Sequence, residues 1–411
     1  ALDKPFSLYV HIPFCNTICY YCACNKIITK DKSRADAYID YLGRELALLQ
    51  PYLHGRQPLA QLHFGGGTPT FLSDAQLDQV FGLIRQHFEL MPDGEYSIEI
   101  DPRKVSADSV RRLRGPGLNR MRVGIQDFHP EVQAAVNRIQ SEAETRTVIE
   151  TAREVGFKSV SVDLIYGLPR QTVAGMAATL ERVLLLDPDR IALYHYAHLP
   201  HVFKPQRRIS ELALPSRSDQ LDILQHAVTT LSERGYVFIG MDHFAKPKDE
   251  LAVALRQGRL QRNFQGYSTH ADCDLIGIGV SSIGKVGSTY CQNERDIDAY
   301  YAALDAGRLP IMRGMQLTQD DILRRSIIQA LMCRFALSFT AYEEAFDLDF
   351  KQYFAPELLD LKKFERLGLV EKDHDFLLVT AKGRFLIRNI AMLFDRHLRE
   401  KATAAVYSQT V

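Results

Sequence analysis

Six times within the first two hundred residues an apolar run is followed by a segment of helical spacing. This alternation constrains the fold more than any other feature of the chain. The runs are the stretch ending YVHI, LAQLHF, EYSIEIDP, RMRVGIQDF, SVSVDLIYGLP and RIALYHYAHLP. Between them, residues 34 to 53 carry Ala35, Tyr38, Leu42 and Leu46 on one stripe, and residues 142 to 155 and 173 to 186 repeat the pattern. Ser73, with Gln76 three residues later, predicts a capping-box start for the helix after the second strand. Strand and helix alternating in this way imply an α/β fold, a parallel sheet with right-handed crossovers, either doubly wound or curled into a barrel. In a barrel-like sheet, ligands gather where the strands end. The residues found there are the triplet Gly65 to Gly67, Glu99, Gln126, Asp163, and Ala197 with His198.

A seventh extended run, YVFIGMDHFA, follows a helix predicted over residues 217 to 233, and beyond about residue 265 the rhythm changes. Residues 318 to 334 and 356 to 366 read as helices; FLLVTAKGRFLIRNIAMLFDRHL then predicts a strand, a turn at Gly383 and a last helix. The division expected is a catalytic domain over 1–265 and a smaller, mainly helical, winged-helix-like domain over 266–411 that covers the active site. With 411 residues, 46% of them hydrophobic, the chain can bury two such cores. Acidic and basic residues balance at 50 each, which argues against a dedicated nucleic-acid binder and makes the C-terminal lobe a lid or packing element. No membrane span is expected, and the absence of a targeting segment together with reduced thiols points to the cytoplasm. The chain opens at Ala1 without an initiator methionine, which implies that something upstream has been removed.

Directly after the first strand, four of the seven cysteines fall within ten residues: Cys15, Cys19, Cys22 and Cys24. A C-x3-C-x2-C loop wraps three thiolates around a 4Fe-4S cube and leaves one iron without a protein ligand. Three other readings stand beside this one. Structural zinc normally takes two separated ligand pairs, and the C-terminal half offers no second one. A disulfide framework calls for export. Four inert structural thiols would sit poorly in a loop made polar by Asn16, Thr17, Asn25 and Lys26.

YVHIPFC leading into C-x3-C-x2-C resembles the radical S-adenosylmethionine superfamily. With HFGGGTPT, SIEIDPR, VGIQDF, DLIYGLP, YAHLP, GMDHFA, RNFQGY and TAKGRFLIRN, nearly the whole chain is similar to the oxygen-independent coproporphyrinogen III oxidase (dehydrogenase) family of haem biosynthesis. The resemblance implies a partial (β/α)6 TIM-like barrel, a 4Fe-4S cluster and S-adenosylmethionine. A 5'-deoxyadenosyl radical would take hydrogen from two substrate propionates in turn; carbon dioxide and an electron leave, and vinyl groups remain, giving protoporphyrinogen IX. It implies a low-potential electron donor of the flavodoxin or ferredoxin kind, a monomer, and no nucleic-acid partner. Related possibilities within the superfamily are a haem chaperone, which typically carries an aromatic residue in place of Cys24, and an enzyme that opens haem.

By the same resemblance Cys15, Cys19 and Cys22 are the cluster ligands, and Cys24 is a non-ligating cysteine needed for activity. Tyr9, Tyr21, Gly66, Glu99 and Ile283 fall on contacts to the cluster-bound S-adenosylmethionine, Tyr9 being also a candidate catalytic residue. Gly67, Thr68, Gln126, Arg138, Asp163 and Ala197 fall on contacts to a second molecule, with Arg138 expected to pair its carboxylate and Asp163 and Gln126 its ribose or amine. Tyr21 stands where the family usually has phenylalanine, and the family's N-terminal stretch resembling PRYTSYPTA has no counterpart before the first strand. The substrate's four carboxylates call for cations; the candidates are Lys204, Arg207, Arg208 and Arg262. Cys273, Cys291 and Cys333 read as core or surface thiols, and His11 and His243 as hydrogen-bonded scaffold.

Overall fold

The structure, a computed structural model, describes residues 4–270 and 273–400. They divide into two compact units: the first comprises residues up to 230 together with the segment ending at Gln316, and the second holds 231–270 with 317–400.

In the first unit the strands β1 (Phe6–Ile12), β2 (Gln57–Gly66), β3 (Phe88–Ile100), β4 (Arg120–Gln126), β5 (Ser159–Tyr166) and β6 (Arg190–His195) lie side by side in chain order. Every neighbouring pair is parallel. The consecutive order leaves no switch point, so the doubly wound alternative falls away. Helices α1 (Ser33–Leu53), α2 (Asp74–His87), α3 (Ala107–Leu113), α4 (Glu142–Glu154) and α5 (Val173–Leu185) make the crossovers. Their apolar stripes face inward: Ala35, Tyr38, Leu42 and Leu46 of α1 are all buried. One face of the sheet is packed away, with Leu8, Val10, Phe64, Ile98, Val123 and Val162 fully buried, while Glu99, Arg122 and Asp163 at alternate positions are only partly buried. The capping box at α2 forms as expected, Ser73 accepting from the Gln76 amide while the Gln76 side chain accepts from the Ser73 amide.

The expected boundary at residue 265 does not coincide with this division. Residues 274–278 form β7, which pairs in parallel with the other side of β1, and the chain continues through β8 (Ile283–Val286), β9 (Thr289–Asn293) and β10 (Ile311–Gln316) as an antiparallel meander. Five residues, DLIGI, are too short a signal to announce a strand by period alone. Their pairing nevertheless turns β1, and the cysteine loop it feeds, from an edge into an interior position.

In the second unit YVFIGMDHFA is two strands rather than one: Val237–Gly240 folds back antiparallel on His243–Ala245, with Met241 in the left-handed region at φ 53°. The helix Gln319–Arg334 and a three-stranded antiparallel sheet (Ala336–Ser338, Val370–Lys372, Phe376–Val379) enclose a core that includes Phe335, Phe350, Phe354 and Phe394. At Gly383 the chain makes a short helix, Ala381–Arg384, not a turn; a Cβ there would lie 1.8 Å from the Leu369 carbonyl oxygen, so glycine is required by close packing. The expected last helix is likewise split, into Ile387–Met392 and Arg396–Glu400. Among the described residues no helix is long and apolar enough to cross a membrane.

Candidate active site

The loop after β1 is fixed by backbone groups before any ligand is considered. Phe14–Cys15 pairs in parallel with Ile27–Ile28, closing the cysteines into a compact lobe. The Ile27 amide donates to the Pro13 carbonyl at 2.7 Å and the Thr29 amide to the Cys15 carbonyl at 2.9 Å. Residues distant in sequence hold the lobe's far side. The Tyr20 amide donates to the Val136 carbonyl at 2.9 Å, Asn137 Nδ2 to the Ile18 carbonyl at 2.7 Å, and Gln206 Nε2 to the Tyr21 carbonyl at 3.1 Å.

The glycine triplet serves this same lobe. The Gly67 amide donates to the Ile12 carbonyl at 2.8 Å and the Thr68 amide to the Phe14 carbonyl at 2.9 Å. A Cβ on Gly66, whose φ is 121°, would stand 2.7 Å from the Ile12 oxygen, and one on Gly67 2.7 Å from the Pro13 oxygen. The close approach that requires glycine is therefore between the end of β2 and the cysteine loop, a second duty beside any contact to a cofactor. Thr68 Oγ1 lies 3.4 Å from Cys15 Sγ.

A cavity with about 1020 Å³ of open space, its mouth included, opens over the loop at the strands' C-terminal ends. Of the residues expected to ligate the cluster, contact the cofactor or act in catalysis, all line it except Tyr9, Ala197 and Ile283. Tyr9 lies behind the lining, stacked on the His63 ring and hydrogen-bonded to His11 Nδ1 at 3.0 Å. Ile283 sits on β8 opposite Gln292, its backbone packed against Gly277. The scaffold reading of His11 holds: its Nε2 meets the Asn25 carbonyl at 2.9 Å. Of the cation candidates, Lys204, Arg207 and Arg208 occupy a 3-10 turn of the first unit, with Arg208 over the Tyr20 ring, while Arg262 belongs to the second unit and lies over Tyr267.

None of the seven cysteines is in a disulfide. Burial pushes the Cys15 thiol up to about 11, whereas a hydrogen bond from Cys24, aided by Lys26, draws Cys22 down to about 6. Cys24 moves the opposite way, raised because it shares that hydrogen bond with Cys22. Among the described residues no three His, Cys, Asp or Glu side chains converge on a single ion. A cubane, whose thiolates each take a different iron, does not ask for such convergence.

Two charged networks flank the thiols. On one side Arg122 Nε donates to both oxygens of Asp163, at 2.8 and 2.7 Å, and its Nη2 reaches the Tyr194 hydroxyl. Arg122 also lies 3.8 Å from Glu99, whose Oε1 meets His63 Nε2 at 3.2 Å. Removal from water raises the Glu99 pKa, but the His63 hydrogen bond and the Arg122 charge outweigh it and hold the carboxyl below its usual range. Asp163 ends above its usual range because burial prevails over Arg122. On the other side Arg103 grips Asp101 through Nε and Nη2, and Arg138 Nη1 lies 3.6 Å from the same carboxylate.

Two of the expected cofactor residues also have partners within the protein. Arg138 is engaged with Asp101, with the Gly124 carbonyl at 2.9 Å and with Cys19 Sγ at 3.7 Å. Asp163 is already clamped by Arg122. Arg122, Asp101 and Arg103 were missed in the sequence, although each falls in or beside a motif quoted above, RMRVGIQDF or SIEIDPR. Alternation gave the only available signal: Arg122 points to the same face of its strand as Gly124, and a long cation on an interior strand needs a partner.

The residues fit an iron-sulfur cluster with a bound cationic amino-acid cofactor. Four cysteines, Glu99 and Asp163 line the cavity, and two further lining residues each carry a buried polar atom with no partner within the protein, Gln126 Oε1 and Arg138 Nε. Gln126 itself sits at φ 69°, next to a register shift between β4 and β5, which is strain characteristic of functional positions.

Comparison with known proteins adds sequence and structural relatives. The radical SAM superfamily pattern matches residues 9–183, and the HemN C-terminal domain pattern matches residues 317–386. The oxygen-independent coproporphyrinogen III oxidase of Escherichia coli strain K12 is 48% identical over 409 residues, spanning 100% of this chain and 89% of its own length. The Pseudomonas aeruginosa protein of the same name is 50% identical over 396 residues, 96% of this chain and 86% of its own. Among solved structures, coproporphyrinogen III oxidase (HemN) from E. coli, identified there as a radical SAM enzyme, superposes with a TM-score of 0.94 at 48% identity, covering 97% of this chain and 91% of that one.

Proposed function

The chain belongs to the oxygen-independent coproporphyrinogen III oxidase family of radical S-adenosylmethionine enzymes, and on that premise we propose how its residues divide the work. The reaction is the anaerobic oxidative decarboxylation of two propionates of coproporphyrinogen III to vinyl groups, giving protoporphyrinogen IX. Together the 4Fe-4S cluster and S-adenosylmethionine supply a 5'-deoxyadenosyl radical able to abstract hydrogen from an unactivated carbon.

Cys15, Cys19 and Cys22 hold the cluster, each as a thiolate. Glu99, kept ionised by His63 and Arg122, offers a negative charge to the cofactor's ammonium and sulfonium end. Gly66 and Tyr21 shape the wall beside it, while Tyr9 and Ile283 support that wall from behind. A second S-adenosylmethionine would be held by Gly67, Thr68, Gln126, Arg138, Asp163 and Ala197, with Gln126 supplying an oxygen that has no partner within the protein. Cys24, exposed and hydrogen-bonded to Cys22, acts on the substrate side and does not bind iron. A reduced flavodoxin- or ferredoxin-like protein delivers the electrons, and the enzyme works as a cytoplasmic monomer. Lys204, Arg207 and Arg208 meet substrate carboxylates.

The observation that carries this reading is the single cavity that collects the three thiols, the glycines and the Glu99–Arg122–Asp163 network. Product analysis tests it. Reduced, reconstituted protein under anoxia should convert coproporphyrinogen III to protoporphyrinogen IX with release of methionine and carbon dioxide. The Cys24→Ser variant should retain the cluster and lose decarboxylation; full activity would remove Cys24 from the mechanism.

A further inference from the structure

The three ligand sulfurs have unlike surroundings. Cys15 Sγ faces the Thr68 hydroxyl, and Cys22 faces Cys24 and Lys26. Cys19, the most buried, receives two guanidinium groups: Arg103 Nη2 and Arg138 Nη1 each lie 3.7 Å from its Sγ. Both arginines share one carboxylate, Asp101, which Arg103 approaches at 2.6 Å and Arg138 at 3.6 Å. Two cations against one anion leave a net positive charge beside one sulfur. The local sequence builds this corner. Pro102 starts a 3-10 turn after β3, and Asp101 caps it by accepting from the Arg103 amide at 3.2 Å, which aims both side chains at the loop.

Hydrogen bonds and positive charge at a cluster sulfur stabilise the more negative, reduced form and so raise the reduction potential. We propose that Arg103, oriented by Asp101, sets the reduction potential of the cluster through Cys19, easing its one-electron reduction by the external donor. Asp101 moderates the effect by neutralising part of the charge. Arg103 is thus a positioning and tuning residue, acting through Cys19 and not on substrate. The inference rests on the assignment of Cys19 as a cluster ligand.

The test is an anaerobic redox titration of the reconstituted full chain, with dithionite as the electron source, followed by electron paramagnetic resonance in the absence of S-adenosylmethionine and substrate. At the midpoint of the unaltered protein, Arg103→Met should lower the ratio of reduced to oxidised cluster about tenfold, a shift of about 59 mV for one electron. Asp101→Asn should move the midpoint the other way, and Arg103→Lys should restore part of the loss. A merely structural role would alter iron content or stability without opposite shifts in the two variants. Unchanged midpoints in Arg103→Met and Asp101→Asn at full iron content would overturn the inference. Were Arg103→Met to hold no cluster, Arg103→Lys and Asp101→Asn decide: shifts of opposite sign support it, and equal midpoints overturn it. Failure of the unaltered chain to build a cluster would instead count against the proposed function.

Discussion

Two carboxylates of the first unit titrate in opposite directions: Glu45 is fully buried, and Glu99, on the cavity wall, keeps 34% of its side chain exposed. Glu99 has His63 and Arg122 beside it and stays below the ordinary carboxylate range. Glu45, on α1, meets only neutral donors: the Gly279 amide at 2.8 Å, Asn293 Nδ2 at 2.6 Å and the Tyr300 hydroxyl at 2.6 Å. Burial pushes it up to about 7. Three hydrogen bonds without a cation do not compensate for lost hydration; one histidine and one arginine do. The consequence is a division of roles. Glu99 lines the cavity as a standing negative charge, whereas Glu45 ties α1 to the segment that leads into β8 and β9.

The largest effect expected is on the thiols that Glu99 accompanies. Serine at Cys15, Cys19 or Cys22 should abolish the cluster's absorption and all turnover, measured by iron content and product formation, and a variant that keeps both would undo the ligand assignment. Next, Arg122→Met removes the cation that separates the two carboxylates. It leaves Asp163 without its cationic partner and should cost about 3 kcal/mol in denaturant unfolding. The same change should drive Glu99 toward the behaviour of Glu45, so that affinity for S-adenosylmethionine, read by calorimetry, falls as pH is lowered from 8 to 6. A flat pH profile would mean that Arg122 does not set the Glu99 charge.

Glu45 predicts the converse. Above the ordinary carboxylate range the unfolded chain has lost the proton, while the folded chain keeps it up to about pH 7, so folding takes up a proton in that window. Stability is therefore fullest at the acid end and declines as pH rises through 7. Between pH 6 and pH 8 the loss should be about 1 kcal/mol in the unaltered protein and absent in Glu45→Gln. Equal slopes in the two proteins would show that Glu45 is already ionised when folded. The smallest effect is local: Ser73→Ala, which removes one half of the α2 capping box, should lower stability by about 1 kcal/mol without altering cofactor affinity.

Much of the scaffold could be read in the chain because its causes are local. The stripe on α1, the Ser73–Gln76 box and the apolar runs of β2 to β6 depend only on near neighbours, and all appear where expected. Where the cause lies far away, the reading failed. The strand 274–278 is stabilised by a partner more than two hundred residues earlier, and Asn137 and Gln206 hold the cysteine loop through backbone carbonyls with no motif of their own. In the site, residue types at strand ends gave the glycines, Glu99, Gln126 and Asp163, and the family resemblance added Tyr21, Thr68, Arg138 and the role of Cys24. Arg122 and Arg103 were not legible, since whether an arginine is a surface residue or a buried partner depends on what the fold brings opposite. The break in YVFIGMDHFA did have a signal, Gly-Met-Asp at its centre, which suits a tight turn as well as it suits a continuous strand.

The most direct test of the account is a single anaerobic incubation of reconstituted, prereduced protein with S-adenosylmethionine and coproporphyrinogen III, followed for 5'-deoxyadenosine, methionine and tetrapyrrole products. The account predicts that methionine and 5'-deoxyadenosine appear together with protoporphyrinogen IX, and that none appears with Cys19→Ser. A cluster-loaded protein that cleaves no S-adenosylmethionine and leaves both propionates intact would contradict it.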